Sequence, residues 1–132
     1  MKLLSALLVA STLVSVSNAA CTDVCTCTKP ALFNEADFTA NVAPKLLEIG
    51  QSGTFVKADS ESISGCVISL SCDYGDLDDD FSAGQTVFTA SGQISEGATN
   101  FDDVACVNSK WIYKWEEVVS VGCYKSFANE DY

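Results

Sequence analysis

Histidine and arginine are both absent from the 132 residues, proline occurs twice and methionine once. Without histidine the chain lacks the commonest general base, the usual pH switch near neutrality and the commonest nitrogen ligand for metals. Without arginine it has no planar fork for gripping phosphate through two parallel hydrogen bonds. All 7 positive residues are lysine, set against 18 carboxylates for a formal charge of −11. What is present is globular: 48% apolar residues and 10% aromatics exclude a disordered or collagen-like chain. A chain this size forms one small domain that buries less than about 70% of its unfolded surface, so covalent staples are useful to it.

Lys2, the apolar stretch from Leu3 to Val14 and the small residues Ser15, Ser17, Ala19 and Ala20 follow the layout of a secretion signal. We place the signal at residues 1–19 and the mature domain at 20–132. Cleavage after Ala20 would leave Cys21 at the new N-terminus, but lipoprotein signals carry leucine where Asn18 stands. The stretch is too short to span a bilayer at about 20 residues per crossing. The expected product is a soluble, secreted, extracellular domain with no membrane association. Removing the signal takes Lys2 with it and leaves six lysines against 18 acids. That balance repels nucleic acid and anionic lipid, and it keeps a domain soluble. No Asn-x-Ser/Thr sequon occurs.

Seven cysteines follow the signal: Cys21, Cys25, Cys27, Cys66, Cys72, Cys106 and Cys123. In an oxidising compartment they pair, and an odd number leaves one over. Cys66 and Cys72 lie six apart on an alternating segment that would hold their Cα atoms about 20 Å apart, well beyond the roughly 7 Å limit of a disulfide. Cys25 and Cys27, two apart, each need a different partner. The surplus falls in the crowded Cys21, Cys25, Cys27 group, and we assign it to Cys21, unpaired or bridging to a second molecule as a dimer. A thiolate metal site or redox pair in this group is the competing reading. The spacing does not match zinc knuckles, and no histidine can complete a tetrahedron.

From Thr54 onward, short alternating segments separated by turn residues predict an all-β sandwich or barrel. Thr54 to Ala58 reads as a strand and Ser60 to Gly65 as a turn. Cys66, Ile68, Leu70 and Cys72 share one inward face, Gln85 to Ser91 forms another strand, and Val104, Cys106, Val119, Val121 and Cys123 point into the core. Asn108-Ser109-Lys110 supplies turn chemistry. Between Pro30 and Gly50, Asn34 with Glu35 and Asp37 resembles a helix N-cap, and Pro44 to Ile49 ended by Gly50 reads as a further turn of helix. Phe33, Phe38 and Val42 fit a strand as well.

Two constellations stand out. The loop from Asp73 to Asp80 concentrates five carboxylates in eight residues, and Asp76, Asp78 and Asp80 occupy alternate positions suited to calcium. An EF-hand fails there, because Phe81 and Val87 stand where Gly and Glu are required. The loop reads equally as a solvated hairpin. Trp111, Tyr113 and Trp115 share one strand face, which forms either a binding platform or part of the core; Lys114 on the opposite face favours core and Ile112 argues against it. No nucleophile, base and orienter can be named together, so the chain reads as noncatalytic, and nothing in it points to a cofactor.

Gly65-Cys66, Cys72, Val104-Ala-Cys106, Asn108, Trp111-Ile-Tyr113 and Val119-Ser-Val121-Gly-Cys123 resemble the small secreted six-cysteine extracellular domains found in families of nematode proteins. The similarity covers roughly Cys25 to Tyr124 and is most specific in the C-terminal third. It implies compartment and architecture, since those families have no established activity. Members lacking the first cysteine tend to lack the third, which implies that these two pair; here that joins Cys66 to Cys25 or Cys21. Cys27, Cys72, Cys106 and Cys123 are then left for two bridges, with Cys72 to Cys106 and Cys27 to Cys123 the favoured arrangement. The expectation is an immunoglobulin-like β-sandwich held by three disulfides, presenting a surface to an extracellular protein or glycan. A weak calcium-dependent binding domain and a small secreted hydrolase are the alternatives.

Overall fold

The computed structural model describes residues 25–77, 80–95 and 100–128; the signal segment, Cys21 and Asp78 lie outside them. The chain enters through a two-residue strand, β1 (Ala31–Leu32), and then turns helical. The Asn34 side chain accepts from the Asp37 backbone N–H at 2.8 Å while the Asp37 carboxylate accepts from the Asn34 N–H at 3.4 Å. This reciprocal cap satisfies donors that a helix start leaves unpaired. It opens α1 (Glu35–Asp37), a π-helical turn (Phe38–Val42) and α2 (Ala43–Glu48), which carries Pro44 in its first turn. Gly50 ends the run at φ 79°, its N–H bonded to the Leu47 carbonyl at 3.1 Å. Phe38, Val42 and Leu46, four apart, form one buried face. The helical reading of this segment therefore prevails, and strand survives only at Ala31–Leu32.

The rest is β structure, in agreement with the expected all-β class: β2 (Gln51–Val56), β3 (Ala58–Ser64), β4 (Val67–Cys72), β5 (Ser82–Thr89), β6 (Ala105–Val107), β7 (Lys110–Tyr113) and β8 (Glu116–Ala128). β8 is the spine of a six-stranded sheet. Antiparallel β5 pairs with it from Ser82↔Ser126 to Thr89↔Val118. Since β5 fills one edge over that length, parallel β1 (Ala31↔Ser120) and antiparallel β2 (Val56↔Cys123 to Gln51↔Ala128) must follow one another along the other edge. β7 joins at Ile112↔Glu117, and β6 pairs β7. β3 and β4 form a separate two-stranded sheet.

Three hairpins close through two-residue turns in which both central residues have positive φ: Gly65–Cys66 (58°, 56°), Asn108–Ser109 (51°, 66°) and Lys114–Trp115 (47°, 71°). This is the type I′ turn, whose twist matches that of the strands it joins. These turns correct two sequence expectations. Residues expected to turn from Ser60 to Gly65 instead extend β3 to Ser64, leaving only Gly65–Cys66 for the reversal. The strand expected to run through Trp115 stops at Tyr113.

The large sheet is covered on both faces. On one face, Phe33, Phe38, Val42, Leu46 and Tyr124 pack together, with Phe55 against them. The Phe33 ring lies directly over Gly122, where a Cβ would overlap it. On the other face, Ile68, Val87, Trp111, Tyr113, Val118 and Val121 pack with Phe101, Val104 and Cys27. The three disulfides belong to this second face: Cys25–Cys66, Cys27–Cys106 and Cys72–Cys123. The first is the pairing the family resemblance implies, with Cys25 rather than Cys21 as partner. The other two overturn the expected arrangement, because β4 lies across β8, which sets Cys72 beside Cys123, while the N-terminal segment runs past β6, which sets Cys27 beside Cys106. Cys123 is fully buried and Cys106 is half-buried against this core, as alternation places them. Val119, expected inward, is instead 50% exposed, because the register shift between Phe88 and Thr89 turns Val118 inward in its place.

Candidate functional site

The turn at Lys114–Trp115 separates the three aromatics that alternation had placed together. Trp111 and Tyr113 are core residues, 5% and 7% exposed, while Trp115 is 97% exposed. A type I′ turn needs left-handed backbone at both central positions, and neither Lys nor Trp is a natural occupant. Left-handed conformation costs an L-residue roughly 1–2 kcal/mol. Strain of this kind is retained where the surroundings fix it, and such positions cluster at functional sites.

The surroundings do fix it. The Lys114 ammonium lies 5.4 Å from the centre of the Tyr113 ring, a cation–π contact with the residue before it. On the other side of the turn, Glu116 is gripped by two hydroxyls: Thr89 donates to Oε2 at 2.7 Å and Ser91 to Oε1 at 2.5 Å. These bonds, the Ser91 one foremost, hold the Glu116 carboxyl below the usual carboxylate range. Thr89 in turn accepts from the Gln93 N–H at 3.0 Å, and Ala90 donates to the Glu117 carbonyl at 2.9 Å. The 90–95 segment is anchored further along, where the Ser95 hydroxyl accepts from the Val87 N–H at 3.1 Å. Beside the turn is a cavity of about 240 Å³ lined by Gln93, Ile94, Tyr113, Lys114 and Glu116. The arrangement is a rigid hairpin tip carrying an uncovered indole, with an ammonium, an amide and a carboxylate close by. Thr89, Ser91 and Gln93 escape sequence reasoning, since polar residues in a turn give no sign of the strand end they brace.

The acidic loop is arranged differently. The Asp73 carboxylate accepts from the Gly75 N–H at 2.9 Å, a local turn bond, and Tyr74 donates to the Gly84 carbonyl at 3.0 Å, tying the loop to β5. Asp76 and Asp80 are exposed. Among the described residues no set of three carboxylates is gathered at ligand distances; the one group of potential ligand atoms that converges is sulfur, Cys25, Cys66 and Cys106, whose Sγ atoms lie within 4.8 Å of one another. All three are half-buried and oxidised, so two bridges lie side by side. The segment that carries Cys25 and Cys27 is pinned by the Trp111 indole, which donates to the Thr28 carbonyl at 2.8 Å. No family model, curated protein or solved structure matches the chain.

Proposed function

We propose that this is a noncatalytic extracellular module that acts by presenting a surface, centred on the β7–β8 hairpin tip, to a protein or glycan partner. The observation that carries the reading is Trp115, a large aromatic side chain held almost wholly in solvent on a braced and conformationally costly turn. Tryptophan is enriched at binding hot spots because it buries much area with few rotatable bonds. Export into an oxidising compartment accords with three disulfides, and among the described residues no helix is long and apolar enough to cross a membrane. The resemblance to six-cysteine extracellular domains supports the same assignment, as does the use of six described cysteines in bridges. An immunoglobulin-like sandwich is the finer architectural reading; it is supported by the Cys72–Cys123 bridge, which crosses between the two sheets as an inter-sheet disulfide does in that fold.

The test uses the two tryptophans, one buried and one in water. Titration against panels of immobilised glycans and secreted proteins should give a binder that shifts Trp115 emission to the blue and shields it from iodide, leaving Trp111 unchanged. Trp115→Ser should lower affinity for that binder by roughly 30-fold or more, the scale of a hot-spot residue, without altering the melting temperature. A binder whose affinity is indifferent to Trp115→Ser overturns the assignment of this surface.

A further inference from the structure

We propose that Cys25, Cys66 and Cys106 form a thiol–disulfide exchange site, at which an incoming thiolate opens the Cys25–Cys66 bridge and the exchange passes on to Cys27–Cys106. Three observations place it there. The three sulfur atoms lie within 4.8 Å of one another although they belong to two different bridges. Cys66 occupies the second position of the turn beside the exposed Gly65, and both ends of its bridge, Cys25 and Cys66, are partly exposed. By contrast, Cys72–Cys123 ends on a fully buried sulfur, and its Cys72 end is covered by the Gln85 amide at 3.8 Å. Exchange rates depend on access to the sulfur attacked, so the first bridge is the vulnerable one.

The chemistry is electron-neutral. A thiolate attacks Cys66 Sγ, forming a mixed disulfide there and expelling Cys25 as a thiolate. Cys25 then attacks the neighbouring Cys106 Sγ, forming Cys25–Cys106 and expelling Cys27 as a thiolate, which takes up a proton from water. Every S–S bond broken is replaced by one formed, and no oxidant or reductant is consumed. The incoming thiolate has two sources of the same chemistry: a small-molecule thiol, or the seventh cysteine, Cys21, four residues before Cys25.

The experiment uses the intact oxidised protein, wild type and Cys21→Ser, at pH 8 with and without reduced glutathione. Free thiols are trapped with N-ethylmaleimide over time and mapped by fragment ions that separate Cys25 from Cys27. With glutathione, both proteins should gain an adduct on Cys66 and a trapped Cys27 thiol while Cys25 stays in a disulfide, with Cys72–Cys123 opening at least about tenfold more slowly. Without glutathione, trapped Cys27 in wild type but not in Cys21→Ser identifies Cys21 as the source; its absence from both assigns the role to the external thiol. Opening of all three bridges at one rate, or a Cys66 adduct with Cys25 trapped and Cys27 never released, overturns the proposal.

Discussion

The two faces of the large sheet are covered by different means. The helical segment lies on one face and is held by rings: Phe38 stands 6.1 Å from Phe33, 6.1 Å from Phe55 and 6.4 Å from Tyr124. This face has no disulfide, and its cover is continuous with the sheet through β1 and β2 on either side. The β3–β4 hairpin lies on the other face, pairs only with itself, and is joined to the rest by side-chain packing, the Gln85 amide donating to the Leu70 carbonyl at 3.2 Å, and two disulfides. The difference teaches where sulfur is needed. Backbone ladders carry β1 and β2 into the sheet, whereas an element with no ladder to its neighbour is secured by covalent bonds that limit how far it can stray.

Phe38→Ala breaks the ring-held face most directly. Removing a buried phenylalanine should cost about 3–5 kcal/mol in urea denaturation, and amide exchange should rise first in residues 35–48 while residues 58–72 stay protected. Replacing both Cys72 and Cys123 by serine should do the reverse, at about 2–4 kcal/mol, with the hairpin amides opening before the helical ones. If either variant loosens both faces together, the two covers are one cooperative unit and the contrast between them fails.

Glu61 sharpens the contrast at smaller scale. It belongs to β3, its Oε2 atom is buried without a hydrogen-bond partner, and burial raises its pKa while Lys29 opposes the rise. A carboxyl whose folded pKa is raised favours the folded state in acid and loses that contribution as pH climbs from the ordinary carboxylate range through the raised value. Glu61→Gln should therefore raise the melting temperature slightly at neutral pH, with the gain vanishing below about pH 4, where the wild-type carboxyl is protonated. A gain that is the same at both pH values would trace to packing and not to the charge.

The sequence made the helical segment readable because its signals are local: the Asn34 and Asp37 cap, Pro44 and Gly50 act within a few residues of themselves. The inward positions of Ile68, Val121 and Cys123 follow from alternation in the same way. Turn positions fared according to composition. Asn108–Ser109 carries turn chemistry and was visible, whereas Lys114–Trp115 carries none, so alternation ran on through it and grouped Trp115 with two core residues. The cysteine pairing was least legible, since alternation tells which face a sulfur is on but not which strand lies opposite. Cys72 meets Cys123 only because β4 crosses β8, a fact of tertiary order that no short stretch encodes.

Among the described strands β8 comes last in chain order, and it is the one with which β1, β2, β5 and β7 all pair. A growing polypeptide that has not yet delivered residues 116–128 can form the β3–β4 and β6–β7 ladders but no sheet to lay them on. Assembly of the large sheet must therefore wait until residues 116–128 have been made, and a premature stop anywhere before Glu116 removes the framework on which the other described strands are laid, not merely one segment.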